Sequence, residues 1–183
     1  TGCSATDAVV VTVNPLPTIT GVQTVCIGST TQFTGTATAN ATNPYVSSNP
    51  AIATVNATGL VTGVAAGTAT ITYTNSNGCT ATRTVTVNPL PVANAGADIS
   101  VCSNAVSGNL GTSTTAGYTY VWTPSTGLSS TTTSNPTVTL LNAGTTPITT
   151  TYTLSVTITA TGCSATDAVV VTVNPLPTIT GVQ

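Results

Sequence analysis

Residues 68–74 read TATITYT, residues 82–88 read TRTVTVN and residues 153–159 read TLSVTIT. In each, apolar side chains alternate with Thr or Ser: Ala69 and Ile71, then Val85 and Val87, then Leu154, Val156 and Ile158. Successive side chains of a strand point to opposite faces, so a period of two predicts strands buried on one side and wet on the other. Threonine suits the wet side because its branched Cβ fits a pleated backbone and its hydroxyl keeps that face polar without charge. Working outward from these runs, clusters of Gly, Pro, Asn and Ser break the chain at Ile27-Gly28-Ser29, Asn43-Pro44, Asn49-Pro50 and Asn75-Ser76-Asn77-Gly78. Short alternating strands separated by turn signals roughly every 8–12 residues predict an all-β chain built of sandwiches. No amphipathic helix pattern competes.

Composition excludes several classes of function. The 183 residues hold one Lys or Arg, three Asp or Glu and no His, and the charges are Asp7, Arg83, Asp98 and Asp167. Only 2% of residues are charged, against about 25% in ordinary domains, so neither a basic nucleic-acid footprint nor an acidic solvating tail exists. Disorder requires low hydrophobicity together with high net charge, and a chain 40% apolar with net charge −2 has neither. The longest apolar run, Ala8 to Val11, is far short of the ~20 residues a membrane-spanning helix needs. No membrane insertion is expected, and no signal peptide is visible.

Residues 1–23, TGCSATDAVVVTVNPLPTITGVQ, recur without change as residues 161–183. Fold constraint alone would tolerate many substitutions at exposed positions, so identity over this length marks a tandem repeat with a 160-residue period. The run VNPLP occurs at 13–17, 87–91 and 173–177, each time after a strand pattern that begins with Gly-Cys. Two prolines in four residues fix φ and push their neighbours towards extended backbone, which makes a short, stiff joint. The linker residues are therefore Asn14, Pro15 and Pro17, Asn88, Pro89 and Pro91, and Asn174, Pro175 and Pro177. They divide the chain into residues 1–17, the last strand and linker of a preceding repeat; 18–91, a first domain; 92–177, a second; and 178–183, the start of a following repeat. Residues 1–13 are expected to be a strand that completes the preceding repeat's second domain and stays out of the 18–88 sandwich.

The stretch Ser48-Asn49-Pro50-Ala51-Ile52-Ala53-Thr54-Val55, followed by Gly59-Leu60-Val61-Thr62-Gly63-Val64-Ala65-Ala66-Gly67-Thr68-Ala69-Thr70-Ile71-Thr72, closely resembles the bacterial immunoglobulin-like group 2 domain. The resemblance covers most of the first domain. It departs from the family where Tyr45-Val46 stands in place of a tryptophan before the Ser-Ser-Asn-Pro run. In the second domain, Tyr118-Thr-Tyr120-Val-Trp122-Thr-Pro124-Ser-Thr-Gly127-Leu128, Thr151-Tyr152 and Thr161-Gly-Cys163-Ser-Ala-Thr-Asp167 look like the polycystic-kidney-disease-type repeats of giant Bacteroidetes-type surface adhesins, without their glycine-aspartate loop. These resemblances imply tandem immunoglobulin-like β-sandwiches. On such a fold Trp122 is expected to plug the core and Tyr152 to brace a corner.

The five cysteines are Cys3, Cys26, Cys79, Cys102 and Cys163, with Cys3 the repeat-equivalent of Cys163. In an immunoglobulin-like sandwich the chain enters at one pole and leaves at the other. A last strand running from Cys79 to Val87 then carries the chain some ~30 Å from Cys79 before Cys102 is reached, beyond the ~7 Å limit on a disulfide's Cα separation. Cys26, early in the first strand, and Cys79, opening the last, are expected to sit together at the pole where the chain enters and where these strands are neighbours, so Cys26 pairs with Cys79, Cys102 with Cys163, and Cys3 with the Cys102 equivalent of the preceding repeat. No His or CxxC spacing accompanies them, so no metal site is expected, and stable disulfides imply an oxidising, extracytoplasmic compartment.

Catalytic machinery is missing from the inventory: without His, Glu or Lys neither a triad nor an acid–base pair can be assembled. The expectation is no catalytic residue, no cofactor and no metal. Asp98 and Asp167 could each offer calcium one carboxylate, where a site wants several. The function expected is a structural repeat of an extracellular bacterial surface filament or adhesin stalk whose partners are copies of itself. A glycan- or surface-binding adhesive module is the alternative. Ice binding by Thr arrays is a weaker third class, because a twisted sheet spoils the flat lattice it needs.

Overall fold

The computed structural model describes residues 2–177. Twelve strands and no helix occur among the described residues, and none of them forms a helix long and apolar enough to cross a membrane. The chain divides into two compact units, Thr1–Asn88 and Pro89–Gln183.

The first unit is a sandwich of two four-stranded sheets. One has the order β1 (Ile19–Gly21), β3 (Thr30–Gly35), β6 (Leu60–Gly63), β5 (Ala53–Val55), antiparallel throughout. The other has the order β2 (Thr24–Cys26), β8 (Thr80–Asn88), β7 (Gly67–Thr74), β4 (Tyr45–Ser47). The alternation read from the sequence is obeyed: Ala69, Ile71 and Tyr73 of β7 and Val85 and Val87 of β8 point inward and meet Phe33, Val61 and Ile19 from the facing sheet. The opening strand is divided between the sheets. β1 pairs with β3, the chain turns at Gly21, and β2 then lies parallel to β8. Gly21 has φ 146° and a Cβ there would sit 2.5 Å from the Gln32 carbonyl, so the change of sheet needs glycine.

The second unit has one regular sheet, in the order β10 (Tyr118–Thr123), β11 (Ile148–Ile158), β12 (Ser164–Asn174), β9 (Ile99–Cys102), with β9 parallel to β12. The opposite layer, where strands were expected, is largely irregular and holds only the bridges Val106–Thr139 and Leu128–Val138. Buried side chains do there what a ladder does elsewhere. Ser107 Oγ accepts from the Val138 N–H at 2.8 Å, Ser103 Oγ accepts from the Asn142 N–H at 2.9 Å, and Asn142 Nδ2 donates to the carbonyls of Thr146 and Val173. Backbone groups satisfied this way do not need strand partners. The core joins Leu110 and Val138 of this layer to Trp122, Tyr152, Leu154, Val156, Val169, Val171 and Val173 of the sheet.

The two copies of one sequence adopt different states. Residues 164–174 form β12, in which Val169, Val171 and Val173 are fully buried. In the identical stretch 4–14, Val9, Val11 and Val13 are 83%, 78% and 87% exposed, and residues 2–16 are exposed throughout, with no strand. The expected strand at 1–13 therefore does not form, since a lone strand has nothing to pair with. None of residues 2–16 belongs to the hydrophobic core of the first unit. Residues 178–183, assigned to a following repeat, and Thr1 lie outside the described residues.

Candidate functional site

Chemistry-bearing side chains gather at the poles of the two sandwiches. In the first, Cys26 ends β2 opposite Asn88, the last residue of β8. Cys79 immediately precedes β8, nine residues earlier and hence about 30 Å away along the strand. In the second, Cys102 ends β9 opposite Asn174, the last residue of β12, while Cys163 immediately precedes β12, about 36 Å away. The expected bridges Cys26–Cys79 and Cys102–Cys163 are thereby corrected: each pair sits at opposite poles, and Cys79 and Cys102 are free thiols, as is Cys3. Cys26 and Cys163 are disulfide-bonded. The expectation failed because the strand beside the last one is parallel to it. The cysteine that ends that strand lies where the chain leaves the sandwich, not where it enters. The switch at Gly21 is the signal that could have shown this, and it is visible in the sequence only as the break Gly21-Val22-Gln23 between two short apolar runs.

The linker residues bracket these poles. Asn88 closes β8 and Asn174 closes β12, and the Asn174 amide donates to Ser100 Oγ at 2.8 Å. Pro15, Pro89 and Leu90 are exposed, Pro17 and Pro91 are buried, and Asn14 belongs to the strandless segment. Pro175 is half-buried and Pro177 exposed.

Asp98 and Asp167, each able to offer calcium a single carboxylate, have backbone partners. Asp98 Oδ1 accepts from the Val170 N–H and Asp167 Oδ2 from the Ala95 N–H, both at 2.8 Å. Together they fasten residues 95–98 along the length of β12 that β9 leaves uncovered. Among the described residues no group of three His, Cys, Asp or Glu side chains could hold a metal.

Trp122 is 2% exposed, with its indole N–H donating to the Thr133 carbonyl at 2.9 Å, so it is a core plug. Tyr152 is fully buried and its hydroxyl donates to the Thr126 carbonyl, which braces the corner ahead of β10's partner strand. Burial pushes its phenol above the ordinary value of 10.0. Tyr73 is raised by burial first and by neighbouring Tyr45 second. Where the sequence lacks the expected tryptophan, Tyr45 packs its ring 4.9 Å from that of Tyr73 and accepts the Gly35 N–H at 2.8 Å. The substitution leaves that part of the core filled.

A cleft of about 500 Å³ opens along β10, an edge strand of its sheet, between Tyr118, Tyr120, Val121, Thr114, Thr132 and Asn135. Its groups are hydroxyls, an amide and two phenols, of which Tyr120 already accepts the Thr115 N–H at 2.8 Å. Tyr120 is buried in the core and Tyr118 half-buried against it, so the lining offers chiefly hydroxyls and an amide, which can hydrogen-bond a neutral polyhydroxylated molecule. It holds no acid–base pair.

The model of the Bacterial Ig-like domain (group 2) family matches residues 8–88. No curated protein matches the chain. Among solved structures, domains 4 and 5 of the S-layer protein SbsC align over 89% of this chain and 98% of theirs, at 18% identity and TM-score 0.36. Human protocadherin-24 EC1-2 aligns over 91% of this chain and 100% of its own, at 13% identity and TM-score 0.33. Drosophila N-cadherin EC1-4 aligns over 87% and 50%, at 9% identity and TM-score 0.34.

Proposed function

We propose that the chain carries a little more than one period of a tandem array: a non-catalytic structural repeat of an extracellular bacterial surface filament or adhesin stalk, whose main partners are further copies of itself. One observation carries this reading. The same sequence is a paired last strand at 164–174, with Val169, Val171 and Val173 fully buried, and a bare, exposed segment at 4–14. Val9, Val11 and Val13 make sense when a neighbouring sandwich supplies β11-like and β9-like flanks to cover them. An extracytoplasmic location is supported by the disulfide state of Cys26 and Cys163. Electron microscopy of the native material tests the reading: it should resolve beaded filaments with two beads per 160-residue period, and isolated particles would overturn it.

The adhesive alternative has its own support in the Tyr118–Tyr120 cleft of the second unit. A glycan array probed with the chain and with Tyr118→Ala decides it. Binding that the substitution abolishes supports an adhesive repeat, and an array without binding leaves the structural reading alone.

A further inference from the structure

The four cysteines of the two sandwiches are of two kinds, each built twice. Cys26 and Cys102 each end the strand parallel to the last strand. Each then opens the same turn. The next residue donates its N–H to the closing asparagine, Ile27 to Asn88 at 3.1 Å and Ser103 to Asn174 at 2.8 Å. The third residue takes a left-handed conformation, Gly28 at φ 79° and Asn104 at φ 62°. The fourth donates back to the cysteine carbonyl at 3.0 Å, from Ser29 and from Ala105. Cys79 and Cys163 form the second kind. Each follows a left-handed glycine, Gly78 at φ 77° and Gly162 at φ 72°, and each accepts at its carbonyl from the end of the preceding strand region, Asn75 at 3.0 Å and Ile158 at 2.9 Å. One cysteine of each kind, Cys26 and Cys163, is disulfide-bonded. One of each kind, Cys102 and Cys79, is free, the first exposed and the second half-buried.

Cysteines on the same turn in one oxidising compartment meet the same oxidant, and the two free thiols are the more exposed member of each kind, open to a partner from outside their own sandwich. Neither finds one in its own sandwich, because the second cysteine there lies at the far pole. In an array, however, the pole that carries Cys102 is followed, after Asn174-Pro175-Leu176-Pro177, by the first sandwich of the next copy, which carries its own Cys79. We propose that Cys102 of one copy forms a disulfide with Cys79 of the next, so that the joint between successive copies is covalently closed beside its proline linker. The inference rests on the tandem-array reading. The S–S bond replaces two S–H bonds, and the two protons and two electrons pass to a small-molecule disulfide, which is reduced to two thiols.

The test uses the chain with Cys3→Ser, which removes the other free thiol, oxidised with glutathione disulfide and run on a non-reducing gel. The parent should give a ladder of multimers that dithiothreitol collapses. With Cys79→Ser or Cys102→Ser added, each variant alone should stay monomeric. An equimolar mixture of the two should give dimers and nothing larger, and mass spectrometry should find Cys79 of one chain joined to Cys102 of the other. Cys102 is exposed, Cys79 is half-buried, and neither belongs to a hydrophobic core, so serine leaves the cores intact. A ladder that persists without either cysteine, homodimers as abundant as mixed dimers, or a mixture that stays monomeric would each overturn the proposal. Failure of the array reading looks different: native material would not be filamentous. Filaments that remain beaded while Cys79 and Cys102 are found as thiols would sink the cross-link alone.

Discussion

At the scale of single residues, the one cation shows how a chain almost without charge uses what it has. Arg83 lies opposite Ile71 in the ladder and so faces inward at the edge of the first sandwich. Its Nε donates to the Gly21 carbonyl at 3.0 Å, Nη1 to Ile19 at 3.4 Å, and Nη2 to Gln23 Oε1 at 3.3 Å. These are acceptors of the segment that crosses from one sheet to the other, whose carbonyls a planar five-donor fork can satisfy together. Arg83→Met keeps the stem and removes the fork, and should lower stability by about 1.5–3 kcal/mol, the usual worth of hydrogen bonds to a charged group. Urea titration measures it, and a loss within error of zero would mean the crossing holds itself. The buried phenols give a second expectation. Tyr73 and Tyr152 are pushed above 10.0 in the folded chain, so near pH 10 the unfolded chain loses protons that the folded one keeps. Where the unfolded state binds fewer protons, stability falls as pH rises. Melting temperature should therefore be level from neutrality to about pH 9 and decline beyond about pH 10, with Tyr152→Phe lessening the decline. A steep fall below pH 9 would contradict it.

At the scale of elements, β12 and its exposed copy allow an experiment that most folds do not. A chain ending at Gly162 lacks β12, and the only sequence able to fill the vacancy, Ser4–Asn14, is already present on a second copy of the same chain. Such a chain should associate head to tail, with each copy lending its segment to the next, because a heterologous contact that does not close propagates. Analytical ultracentrifugation should find a mass distribution that grows with concentration, and removing residues 1–14 as well should abolish it and leave the second unit unfolded. A truncated chain that stays monomeric with its second unit folded would refute the donation. This contrast also marks what the sequence disclosed. β7, β8, β11 and β12 were legible because alternation is local: each inward valine or isoleucine declares its face through its neighbours two residues away. The linkers were legible because proline acts on its own φ. The poles of the cysteines were not, since they depend on whether the strand beside β8 runs with it or against it, which is decided by a change of sheet at Gly21. The irregular layer of the second unit was also hidden. Ser103, Ser107 and Asn142 look like turn residues in sequence, and only folding reveals that they take over hydrogen bonds a strand would make.

At the scale of the whole molecule, the governing fact is a net charge of −2 spread over 183 residues. Like-charge repulsion and charged side chains on edge strands are the usual means by which β-proteins avoid one another. Here the strands at the sheet edges, β1, β5, β2 and β4 in the first unit and β10 and β9 in the second, contain no lysine, arginine or carboxylate. Several carry exposed apolar side chains, such as Val46 of β4 and Val121 of β10, each 52% exposed. In an array these edges recur with every period, so that a weak contact between two filaments is multiplied along their length. Side-by-side association into bundles or a sheath is therefore the expected state of purified filaments. Its salt dependence identifies its cause. Contacts made by backbone pairing, threonine hydroxyls and apolar surface contain no charge to screen, whereas ion-paired contacts would weaken at about 0.5 M salt, where the Debye length falls to ~4 Å. Images at low and high ionic strength should accordingly show the same bundles. Val46→Lys with Val121→Lys, which introduces two charges per period at the edges, should separate the filaments at low salt and let them reassociate as salt rises. Filaments that stay single at high concentration, or wild-type bundles that dissolve in 0.5 M salt, would mean that lateral contact rests on something other than these uncharged edges.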